Sequence, residues 1–143
     1  MFHRLISVSF AILFLIGTLA GCATQQAAAP VATATEPAFE PFHDIVDMAF
    51  VAKHVSIPMA ENVMLIDARP YKPKYIKGHI PGAISIPDSQ FDKMTDKLPA
   101  DKDSLLIFYC GGLKCKLSHK SAMKAEKLGY TNAKVYAEGW PDW

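Results

Sequence analysis

The chain has 143 residues, half of them hydrophobic, with 15 Lys and Arg against 14 Asp and Glu for a formal net charge of +1. That balance excludes the basic footprint of a nucleic-acid-binding domain, and the length allows one small domain with a modest core. There is no internal repeat or heptad pattern.

Residues 1–22, MFHRLISVSFAILFLIGTLAGC, place Arg4 ahead of an apolar run over 5–20. A basic residue, a short apolar run and then small residues make a secretory signal, and the run is short for a spanning helix. Its end, Leu19-Ala20-Gly21-Cys22, resembles a bacterial lipoprotein signal, with 1–21 removed and Cys22 as the lipidated first mature residue. An ordinary signal peptide and an uncleaved anchor are the alternatives. The expected location is the periplasmic face of a bacterial membrane, reached through the lipid. Ala23, where an Asp would favour the inner membrane, tips the expectation to the outer one. Loss of Arg4 leaves 14 basic residues against 14 acidic. Residues 22–41, rich in Ala, Thr and Pro, hold too few large apolar side chains to form a core. They read as a flexible tether.

The globular part is then 42–143, and its elements alternate. Residues 42–46 (FHDIV) form a weak first strand and 47–55 a helix, followed by strands at 63–67 (VMLID) and 83–87 (AISIP). A helix over 89–94 precedes a strand at 105–110 (LLIFYC), a helix over 116–129 and a last strand at 133–139. Leu117, Met123 and Leu128 are placed for the apolar face of that helix, with Gly129 as its stop. The continuous apolar character of the central strands suits burial on both faces. Strands separated by helices imply a mainly parallel central sheet flanked by helices, an α/β fold.

In such sheets ligands collect where strands end and helices begin, and Cys110 sits at that junction. The stretch FYCGGLKCKLSHK (108–120) carries a second cysteine five positions on, a Gly-Gly pair, and Lys114, Lys116 and Lys120. Three readings compete: a Cys110–Cys115 disulfide, a metal clip, and a nucleophile in an anion cradle. A clip of Cys110, Cys115 and His119 lacks a fourth ligand in the local run. For a nucleophile, Gly111 and Gly112 let backbone N–H groups converge. The amino end of the following helix, with Lys114 and Lys116, is expected to lower the thiol pKa.

The segments LIDARPYKPKYIKGHIPGAISIP and LGYTNAKVYAEGW, with a strand ending in Cys110 between them, resemble a single rhodanese-like domain over 42–143. The most specific pieces are Asp67-Ala68-Arg69, the run from Gly78 to Ala83, and Cys110. The resemblance implies a sulfurtransferase: Cys110 accepts sulfane sulfur from a donor such as thiosulfate or polysulfide, and the persulfide passes it to a thiol or protein acceptor. It implies no metal and no organic cofactor, and a monomer is expected. Gly111, Gly112, Leu113, Lys114, Cys115 and Lys116 are the expected substrate-binding loop, with Cys115 as a possible resolving thiol. Asp67 and Arg69 are expected to support the catalytic edge, His79 to bond backbone at a strand entry, and His119 to lie on the helix surface. Trp140 and Trp143 wall the pocket or cap the core. A loop longer than the compact sulfurtransferase pattern and the lack of a loop Arg depart from it, and the missing Arg argues against phosphatase chemistry. Two other classes remain in view: a non-catalytic anion- or partner-binding module, and a thiol-disulfide protein using both cysteines.

Overall fold

A computed structural model describes residues 38–143. The expected signal, Cys22 and the tether as far as Pro37 lie outside the described residues. In chain order the regular elements are β1 (Ile45–Val46), α1 (Met48–His54), β2 (Val63–Asp67), β3 (Ile84–Ser85), β4 (Leu105–Tyr109), α2 (Leu117–Lys127) and β5 (Ala133–Tyr136). The sheet order is β1-β5-β4-β2-β3, and every pairing is parallel. No helix among the described residues is long and apolar enough to cross a membrane.

Strand alternation builds two cores, one on each face of the sheet. Leu106 and Phe108 of β4 join Ile66, Ala133 and Val135 against α2. Leu105, Ile107 and Tyr109 point the other way and join Leu65, Tyr136 and Val51 of α1. All five residues of β4 are buried, as its uninterrupted apolar sequence requires.

Asp47 caps α1, its carboxylate accepting from the Phe50 amide at 2.8 Å. The expected first strand shrinks to Ile45–Val46, and at its expected start the Phe42 amide donates to His119 Nδ1 at 3.1 Å. His119 is therefore buried at 5% exposure, not on the helix surface as expected. Burial pushes its pKa down, which suits a neutral ring that accepts from Phe42. The expected helix over 89–94 is a 3-10 segment, Asp88–Lys93, which starts directly after Pro87.

The buried face of α2 matches expectation at Met123, which packs against the core, and otherwise differs. It is made of Ser118, Ser121, Ala122 and Ala125, all at 0% exposure, whereas Leu128 is 45% exposed. Small side chains let the helix lie close on β4 and β5, and that proximity outweighs the larger apolar positions. Lys124 Nζ reaches the Asp88 carboxylate at 3.1 Å and the Asp88 carbonyl at 2.8 Å, tying α2 to the 3-10 segment.

Candidate active site

Cys110 follows the last residue of the central strand β4, at its carboxyl end, and is fully buried. Its carbonyl accepts from the Trp140 amide at 3.0 Å. Its thiol donates to the Cys115 carbonyl at 3.3 Å and lies 3.2 Å from the Ser118 hydroxyl in the first turn of α2. Burial pushes the thiol pKa up and the Cys115 contact adds to it, while the hydroxyl and amide of Ser118 pull it down. The net direction is upward, which corrects the expectation of a lowered value. The helix end does contribute through Ser118, but desolvation is the larger effect.

The loop after Cys110 closes in a turn. The Cys115 amide bonds to the Gly112 carbonyl at 2.8 Å, with Gly112 at φ +108°, a conformation that favours glycine. Leu113 stands out at 73% exposure. Lys116, expected to face an anion, lies instead over the Phe39 ring at 4.7 Å.

Gly111 and Cys115 form one wall of a cleft of about 420 Å³, completed by Arg69, Pro70, Pro73, Lys74, Lys77, Gly78, Leu117, Trp140 and Pro141. Its cationic side chains are thus Arg69, Lys74 and Lys77, and neither Lys114 nor Lys116 lines it. Lys74 and Lys77 were missed in the sequence, although a run of lysines at 72, 74 and 77 directly follows Asp67-Ala68-Arg69. A larger groove of about 1030 Å³ runs along the β3 edge between Tyr71, Met64 and Met94. It has no cysteine in its walls, whereas the smaller cleft has Cys115.

Behind the cleft lies a buried ionic network. Arg69 grips Asp67 through Nε at 2.9 Å and through a terminal nitrogen at 2.5 Å, and that nitrogen also donates to the Gly78 carbonyl at 2.8 Å. Tyr109 donates to the same carboxylate at 2.9 Å while accepting from the Ile80 amide at 3.1 Å. Burial opposes the charge on Arg69, but Asp67 overrides it and the pKa rises. Burial and Asp67 together raise that of Tyr109. Arg69 is thereby committed to structure, leaving the two lysines as the cleft's available cations. The Trp140 ring covers the guanidinium at 5.2 Å and packs so near Gly78 that a Cβ there would stand 2.7 Å from it. His79 stacks on Tyr75 at 3.9 Å and bonds to that residue's carbonyl through Nδ1 at 3.0 Å.

A parallel sheet of this order, a free cysteine at the end of its central strand and a cationic cleft beside it now stand together. The model of the rhodanese-like domain matches residues 52–143. The chain belongs to the rhodanese-like domain family. It is 30% identical over 100 residues to the mouse thiosulfate sulfurtransferase/rhodanese-like domain-containing protein 3, a match covering 62% of each chain. It is 33% identical over 84 residues to the HTH-type transcriptional regulator Rv0324 of Mycobacterium tuberculosis, covering 59% of this chain and 35% of that one. The chain thus spans less than two thirds of the length of these relatives. The human single-domain sulfurtransferase TSTD1 superposes with a TM-score of 0.57 at 25% identity, covering 73% of this chain and 96% of that one. The rhodanese-like fold of residues 38–143, with its five-stranded parallel sheet, rests on these matches together.

Proposed function

We propose that this rhodanese-like domain transfers sulfane sulfur from an anionic donor to a thiol acceptor through a persulfide on Cys110. The observation that carries the reading is a free, buried Cys110 whose neighbours Gly111 and Cys115 wall a cleft presenting Lys74 and Lys77. The Cys110 thiolate attacks the donor's sulfane sulfur, and the donor's S–S bond breaks with its electron pair on the leaving group, sulfite in the case of thiosulfate. The acceptor thiolate then takes the outer sulfur, and Cys110 leaves as thiolate. Ser118 supports that thiolate, and the lysines hold the donor's charge. This assignment moves the cationic role from Lys114 and Lys116 to Lys74 and Lys77.

The reduced full chain should release thiocyanate from thiosulfate and cyanide, or pass sulfur from polysulfide to a thiol, and Cys110→Ser should abolish both. Lys74→Ala and Lys77→Ala should each raise KM for anionic donors about tenfold, the loss of one charge-assisted contact. Failure of the wild type with several donors, alongside saturable anion binding, replaces the enzyme with a binding module.

We further propose that Cys22 carries lipid and holds the domain at the periplasmic face of a bacterial membrane. Globomycin, which blocks lipoprotein signal cleavage, should make the precursor accumulate, and Cys22→Ser should release the chain from membranes. Unchanged attachment of that variant removes the anchor from the account.

A further inference from the structure

The second cysteine has a position that sulfur transfer alone does not use. Cys110 is fully buried, whereas Cys115 is partly exposed and lines the cleft. The turn closed by the Cys115 amide on Gly112 folds the second cysteine back toward the first. Its carbonyl lies 3.3 Å from the Cys110 sulfur, and a Cβ on Gly111 would stand 4.0 Å from the Cys115 Cβ. A thiol that reaches Cys110 from the cleft therefore meets competition from one already beside it.

Resting on the Cys110 persulfide reading, we propose that Cys115 resolves that persulfide by closing a Cys110–Cys115 disulfide and expelling sulfide, so that the domain acts as a dithiol-dependent sulfide-releasing enzyme. In the step, the Cys115 thiolate attacks the inner sulfur of the protonated Cys110 persulfide. The bond between the inner and outer sulfurs breaks, and its electron pair departs on HS⁻ into the cleft. The outer sulfur is reduced to sulfide, and the two cysteine sulfurs are oxidised to the disulfide. An external dithiol reduces that disulfide and resets the site.

The backbone divides the task between a fixed and a movable partner. Cys110 is held by β4 and by the Trp140 amide on its carbonyl. Cys115 lies across a turn with glycines at 111 and 112 and an exposed Leu113 at its tip. A disulfide needs the two Cα atoms within about 7 Å, and the glycines supply the freedom to bring Cys115 in. The alternative, in which Cys115 takes only the outer sulfur, makes Cys110 the leaving thiolate in a buried pocket. That alternative leaves the sulfur on Cys115 and forms no disulfide, so peptide mapping separates the two.

The test uses the full chain, purified in detergent, reduced and desalted, with thiosulfate and, in parallel, glutathione persulfide as donors and no acceptor. With thiosulfate, sulfite reports persulfide formation, and sulfide is released only by the resolving step. Wild type should release both and show a Cys110–Cys115 disulfide by peptide mapping. Cys115→Ser should release sulfite alone and hold a one-sulfur adduct on Cys110 with a lifetime at least about tenfold longer, since it lacks the intramolecular attack. Wild type treated with diamide should close the same disulfide, which checks the geometry without any variant. Sulfite release followed by equal adduct lifetimes in the two chains, or no disulfide under diamide, overturns the resolving role while sparing Cys110 as sulfur carrier. No adduct from either donor in either chain overturns both.

Discussion

Asp67→Asn is expected to destabilise the domain by about 3–5 kcal/mol, the range for breaking a buried ion pair by removing one partner. The substitution keeps the shape but removes the charge that balances Arg69, which is 4% exposed beside an Asp67 with no exposure. Its other polar neighbours cannot replace the carboxylate. The Gly78 carbonyl accepts one N–H, and the Trp140 ring offers only its face. Arg69 is left charged in a site that no longer repays its desolvation. For a domain whose whole stability is of the order of 5–15 kcal/mol, that is a large fraction, so urea unfolding should show a strongly lowered midpoint. Tyr109→Phe gives the milder comparison, about 1–3 kcal/mol, because it orphans the Ile80 amide and one carboxylate lone pair without leaving an unbalanced ion. A loss below about 1 kcal/mol in Asp67→Asn, no more than an exposed pair is worth, would show that water reaches the network and that Arg69 is free to serve the cleft.

Gly139→Ala should damage stability and chemistry together. Gly139 has φ +62°, and a Cβ there would stand 2.4 Å from the Cys110 carbonyl oxygen, 3.1 Å from its carbon and 3.2 Å from the Gly112 nitrogen. All three are backbone atoms, so no side chain can swing aside. The conformation itself adds on the order of 1–3 kcal/mol of strain for a residue with a side chain. Relief requires residues 110–112 to move, which displaces Cys110. A misplacement of about 1 Å is enough to cost about a hundredfold in rate. The expected result is a folded but less stable protein with single-turnover adduct formation on Cys110 about a hundredfold slower. Normal adduct formation in a folded Gly139→Ala chain would mean that the 139–140 corner does not set the position of Cys110.

The strands that carry the site were legible because their burial is two-sided. Val63–Ile66 and Leu105–Tyr109 are apolar runs that suit a covered parallel sheet, and Cys110 follows directly from where the second one stops. Residues whose roles depend on packing at a distance were not legible. Of the apolar positions of α2, Met123 does pack on the core, but Leu128 is exposed, and closeness to the sheet selects serines and alanines for full burial. His119 looked like a surface residue until Phe42, 77 positions earlier, supplied it with a donor. The cations facing the cleft come from the stretch before β3, and nothing local says that it folds over the cysteine loop. The raised pKa of Cys110 was hidden for a related reason: glycines and lysines are visible in a sequence, whereas the dielectric around a sulfur is made by the whole fold.

The small-residue face of α2 carries a further consequence. Ser118 stands at the amino end of that face and Ala125 about two turns further on, on one helix packed against β4 and β5. The helix's height above the sheet is set by the volume of Ser121, Ala122 and Ala125. That same height fixes the 3.2 Å separation between the Ser118 hydroxyl and the Cys110 sulfur. The interior of the domain is thus a gauge block for Cys110, and a methyl group added at Ala122, remote from the cleft, is expected to raise the thiol pKa further by lifting Ser118 away from it.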